Sequence, residues 1–154
     1  MSLSDDGQPA RGKVFMTSLR SQLAAVQVGD IIHGTYPGYS GGEGSAICLV
    51  YELTDDAIHT RAVTTQYIFV FDRQTGTGTR PDGRAECRLD SIAPLPPEIH
   101  SAMLDIDRKY RLLDAPEGSK LLRREIDARL FVAEHYPAHP LDRELGDPSL
   151  LRKS

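Results

Sequence analysis

The period of the apolar positions changes along the chain, and each change marks an element. Leu19, Leu23 and Val26 recur at helical spacing behind Thr17 and Ser18, either of which can cap a short helix that should stop near Gly29-Asp30. Residues 31–36 then read as a first strand. Residues 46–53 and 57–71 are rich in Val, Ile, Thr, Tyr and Phe and flank the tight link Thr54-Asp55-Asp56, which predicts a long hairpin. Its second arm keeps no single alternation. Ile58, Thr60 and Ala62 share one face, Tyr67, Phe69 and Phe71 the other, and Thr64-Thr65-Gln66 interrupts between them. The interruption predicts a β-bulge, or a bend where one strand passes between two sides of a barrel. Further on, Ala85, Cys87, Leu89 and Ser91 alternate with Arg84, Glu86, Arg88 and Asp90, the pattern of a half-exposed strand.

Two stretches break the strands apart. Residues 37–44 hold four glycines and a proline, and residues 73–83 end in the Asp82-Gly83 turn signal; both read as loops. Past Pro94-Leu95-Pro96-Pro97 the period becomes helical: Ile99, Met103, Ile106, Tyr110 and Leu113 lay one stripe along a helix. A second helix is expected over residues 117–134, with Leu122, Ile126, Leu130 and Ala133 lining one side. Ala115-Pro116-Glu117-Gly118 is short enough to make the two an antiparallel pair.

Short strands with no helix between them cannot make parallel crossovers. The expected fold class is therefore α+β: a small antiparallel β-barrel (SH3-like) or strongly twisted sheet over about residues 31–92, with a short N-terminal helix. The C-terminal antiparallel helix pair occupies about residues 97–136, and residues 137–154 form an irregular tail. Residues 1–11 read as a disordered leader and 12–154 as a single α+β domain.

Composition narrows the class further. A chain of 154 residues that is 40% hydrophobic can bury a core without disulfides or metals. A formal charge of -4 argues against a surface tuned throughout for nucleic acid, which leaves nucleic acid unfavoured as a partner. Cys48 and Cys87 sit among strand residues and read as reduced, buried thiols of a cytoplasmic protein. No run approaches a membrane span, and the polar N-terminus lacks the order of a signal peptide.

The chemistry on offer is sparse. Gly76-Thr77-Gly78 opens like a dinucleotide loop, but Pro81 stands at the third glycine position and a strand follows where a helix is required. His135 and His139 are four apart, yet Pro137 lies between them. No cofactor and no metal is expected. His59 and Arg61, two apart on a strand, face one side and are the candidate catalytic pair, a proton carrier beside a cation. Tyr36, Tyr39, Gly41 and Gly42 of the glycine-rich loop, with Thr65 and Arg80, are the candidate ligand-binding or partner-binding residues, because glycines let a partner approach the backbone between two tyrosines. On the helices, seven cations meet six anions between Ile99 and Leu130, the balance of a salt-bridged exposed surface.

Gly29-Asp30-Ile31-Ile32, a glycine-rich loop and the apolar strand ending at Val50 resemble the opening of the SH3-like barrel of toxin endoribonucleases from toxin-antitoxin systems. That resemblance implies a phosphodiester-cleaving site. Where the family carries an Arg-Pro pair before the second strand, this chain has Gly44-Ser45. Two functions are therefore expected in competition. One is a binding or regulatory module acting through a protein partner or self-association. The alternative is a small nuclease-like enzyme in which Arg61 steadies phosphate charge and His59 moves a proton.

Overall fold

The computed structural model describes residues 18–37, 42–79, 86–112 and 120–142. Helix α1 (Leu19–Ala24) is capped by Ser18, whose hydroxyl accepts the Ser21 N–H at 3.1 Å. After Gly29, whose N–H reaches the Val50 carbonyl at 2.8 Å, the chain enters its sheet. Strands β1 (Ile31–Pro37), β2 (Glu43–Leu53), β3 (Ala57–Ala62), β4 (Ile68–Asp72), β5 (Thr77–Thr79) and β6 (Glu86–Ser91) each pair antiparallel with the next. β6 returns to β1, which closes the barrel and leaves no free edge among the described strands. This is the small α+β barrel that the sequence predicts.

Strand alternation decides what fills it. Ile32, Cys48, Val50, Ile58, Phe69, Phe71 and Leu89 point inward, and Leu19, Leu23, Val26 and Leu141 pack onto the same core. Thr60 lies among them and donates its hydroxyl to the Phe69 carbonyl at 2.9 Å, so no donor is stranded. Cys48 and Cys87 are buried, and burial pushes the Cys48 thiol up to about 12, which keeps it protonated and inert.

A second apolar layer forms outside. Ile31, Leu49 and Val63 are covered by helices α2 (Pro97–Arg111) and α3 (Arg123–His135) through Met103, Ile106, Ala128 and Val132. Tyr136, in the 3-10 turn Tyr136–Ala138, ties the helices to the barrel by donating its hydroxyl to the Ile31 carbonyl at 2.6 Å. The α2 stripe packs as the spacing predicts, with Leu113 outside the described residues. No helix among the described residues is long and apolar enough to cross a membrane.

Two expectations need correction. The stretch after Asp56 is not one bent arm. β3 and β4 are separate strands of a hairpin, with Ile58 opposite Phe71 and Thr60 opposite Phe69, so these four face the same interior while Tyr67 is exposed in the turn. The sequence hid this turn because it contains no glycine or asparagine. Gln66 takes the left-handed conformation instead, with φ of 63°, and its side-chain amide donates to the Ala62 and Val63 carbonyls at 3.2 and 3.0 Å. The other correction concerns α3, which starts at Arg123 and buries Glu125, Ala128 and Val132. Leu122, Ile126 and Leu130, expected to line one side, are 51%, 45% and 63% exposed, so the side they line is not the buried one. The cause is Glu125. Its carboxylate accepts the Leu122 N–H at 2.8 Å and the Lys109 ammonium at 2.7 Å, and these bonds anchor the acid inward and turn the larger apolar residues out.

Candidate functional site

A trough of about 380 Å³ runs between the rim of the barrel and α3. Its barrel wall is built by local rules. In β1, Ile32 and Gly34 face inward, so His33 faces outward, where the β1–β6 pairing sets it beside Asp90. His33 Nδ1 and Asp90 Oδ1 are 2.6 Å apart, and the Thr35 hydroxyl donates to the other carboxylate oxygen. The proton on Nδ1 is thereby fixed, and Nε2 is left as the free polar atom of the ring. Tyr36 turns its ring over the rim beside Phe69, at 5.5 Å between centroids. Glycine at 44 makes the space, since a Cβ there would lie 2.6 Å from the Tyr36 Cζ.

The β3–β4 turn supplies Thr64 and Thr65. It is held from beneath by Asp107 of α2, whose carboxylate takes Arg61 through two bonds of 2.9 and 3.0 Å and the Gln66 amide at 3.0 Å. Burial alone would raise the Asp107 carboxyl, but the Arg61, Gln66 and Arg111 donors overcome it and hold the group below the usual carboxylate range. The opposite wall is α3. Ile126, Arg129, Leu130 and Ala133 line the trough, and Leu122 and Phe131 add exposed apolar surface on the same helix.

Charge is lopsided. No acidic side chain is among the described residues that line the trough. Other cations of the helix pair are matched: Arg124 with Asp105 at 2.6 Å, Lys109 with Glu125 at 2.7 Å, Arg123 with Asp127 at 3.3 Å. Arg129 has no hydrogen bond or ion pair among the described residues, and its acid at helical spacing, Glu125, is buried against Lys109. An apolar groove with an unmatched guanidinium, a free imidazole nitrogen and four hydroxyl side chains can hold an apolar group that also bears negative charge.

Of the residues singled out from sequence, the structure brings Tyr36 and Thr65 together in this trough. Gly42 is exposed beside the start of β2, while Tyr39, Gly41 and Arg80 lie outside the described residues. His59 and Arg61 share the outer face of β3 but do not line the trough. Arg61 is held by Asp107 and packs over the Tyr51 ring at 5.5 Å, and the His59 ring lies 6.3 Å from that of Tyr51. The His135 and His139 rings are 4.6 Å apart, yet no group of three or more potential metal ligands occurs among the described residues.

Sequence reasoning missed His33, Asp90 and Arg129. The first two are 57 positions apart and meet only because β6 closes on β1. Arg129 looked compensated in a list of charges that could not know Glu125 is buried. A second, larger concavity of about 590 Å³ lies between α1 and the chain after α3. Two of its polar groups are already used: Asp30 accepts the Gln27 N–H at 2.9 Å and Gln22 the Asp142 N–H at 3.1 Å. The trough under α3 is the better candidate because it holds the Arg129 guanidinium, a charge without a partner among the described residues. No protein-family model, curated protein or solved structure matches the chain, so the likeness to toxin endoribonucleases gains nothing beyond the stretch that ends at Val50.

Proposed function

We propose that the protein is a binding module that takes an apolar, negatively charged segment of a partner protein in the trough between α3 and the barrel rim. The observation that carries this reading is the orientation of α3. A helix that buries a glutamate while leaving Leu122, Ile126 and Leu130 about half exposed forgoes about half of the roughly 1.5–3 kcal/mol that full burial of each aliphatic side chain supplies. Such a surface is consistent with one that a partner covers. Arg129, with no acid among the described residues of the trough wall, sets the sign of that partner's charge. The commitment of Arg61 to Asp107 favours this reading over a nuclease-like enzyme, which needs that cation free to meet phosphate.

The test is selection from a random-peptide library displayed with free C-termini. Sequences that pair Leu, Ile or Phe with a carboxylate should be enriched on the wild-type protein. Leu130→Asp, at an exposed position, should abolish the enrichment and leave the thermal midpoint within a degree or two. Enrichment of basic sequences, or equal recovery on the variant, contradicts the proposal. A concentration-dependent dimer in sedimentation that Leu130→Asp dissolves would make a second copy of the chain the occupant and would also overturn it.

A further inference from the structure

The trough offers two different polar anchors, one at each end. At one end the His33 ring packs against Tyr136, with 5.3 Å between centroids, and Asp90 holds its Nδ1. With that proton on Nδ1, Nε2 of the neutral ring presents a lone pair that can accept a hydrogen bond. At the other end Arg129 presents only donors. Arg129 precedes Tyr136 by seven residues, and with a rise of 1.5 Å per residue the two are separated by about 10 Å along the α3 direction. An extended chain rises about 3.3 Å per residue, so three residues cover the gap. Between the anchors the walls are Ile47, Leu130 and Ala133.

A segment that fits must give an N–H to one end and a carboxylate to the other, with apolar side chains between. A chain terminus does this without any spacer. Its carboxylate carries two oxygens, and the Thr64 and Thr65 hydroxyls are trough-lining groups that can serve the oxygen Arg129 does not. The volume agrees, because about 380 Å³ is at the small end of ligand sites and suits a few residues better than a chain that runs through.

We propose that the trough captures the free C-terminus of a partner chain, with Arg129 holding the terminal carboxylate and His33 Nε2 accepting a backbone N–H about three residues upstream. The assignment rests on the binding-module reading and names its ligand. The probe is a pool of fluorescein-labelled pentapeptides with Leu, Ile or Phe at the last three positions, prepared as free acids and as C-terminal amides and followed by anisotropy. The acids should bind about tenfold tighter or better, the scale of one hydrogen bond to a charged group. Arg129→Gln, on the exposed side of α3, should bring the ratio of acid to amide near one. Equal binding of acid and amide by the wild type overturns the C-terminal assignment and leaves segment binding standing. Absence of binding by either form overturns both. Octanoate that displaces the peptide acid at equal concentration would identify a free carboxylic acid as the ligand and overturn the assignment as well.

Discussion

Alanine in place of Gly78 is expected to break the closed barrel. Gly78 pairs with Phe71 on one side and Cys87 on the other, in a strand of three residues that bridges β4 and β6. A Cβ there would overlap the Val70 carbonyl oxygen and sit 2.9 Å from its carbon and 3.1 Å from the Phe71 Cα. All of these are backbone atoms within a ladder, so no side-chain rotation relieves the contact. Inserting a methyl group into a packed interior usually costs about 1–3 kcal/mol, and a clash with backbone belongs at or above the upper end. Urea unfolding should show a loss of about 3 kcal/mol or an absent folded baseline. Gly42→Ala is the control, since nothing lies within 4 Å of its added methyl group, and it should be nearly silent. A Gly78→Ala protein within about 1 kcal/mol of wild type would contradict the closed arrangement of β4, β5 and β6.

Asp107→Asn should have the other large effect, because it removes the charge on which β3, the β3–β4 turn and α2 converge. Arg61 would keep at most one of its two bonds and lose the opposing charge, and if the new amide oxygen stays with Gln66 and Arg61 Nε, its nitrogen points donors at the Arg61 and Arg111 guanidinium groups. Breaking a buried pair costs about 3–5 kcal/mol, and the partial exposure of Arg61 places this one near the lower end. The pH dependence carries a sign. Asp107 has a folded pKa below its unfolded value of about 4, so its contribution is present above that value and is lost as pH falls through the folded pKa. Wild-type stability should therefore drop below about pH 4, and the variant should show a flatter acid limb. Glu125 and Asp105, whose carboxyls are also held low, leave some slope in both proteins. Identical acid limbs for the two proteins would mean that Asp107 is not ionised and paired as described.

The barrel was legible in the sequence because strand alternation reports burial directly. The α2 stripe was legible for the same reason, at a different period. Two things were not. The β3–β4 turn uses Gln66 at φ of 63° with its own amide as scaffold, a local solution that no turn signature announces. The face of α3 was decided by a buried carboxylate: a reading that sends apolar residues inward cannot anticipate that Glu125 outranks Leu122, Ile126 and Leu130 once Lys109 and a helix-start N–H are within reach. The candidate site inherits both surprises. Thr65 and Tyr36 were visible as polar and aromatic residues near loops, whereas His33, Asp90 and Arg129 acquire their meaning from barrel closure and from that rotation of α3.

The binding account stands or falls on where a ligand sits. Backbone and methyl chemical shifts recorded while the free-acid peptide pool is titrated into the labelled protein report this directly. Shifts should concentrate at Ile126, Leu130 and Thr64, with the side-chain signals of Arg129 and His33 moving in step, and the strand β5 and the concavity beside α1 should stay silent. Shifts centred on the α1 concavity or on His59, with α3 unmoved, would contradict the account.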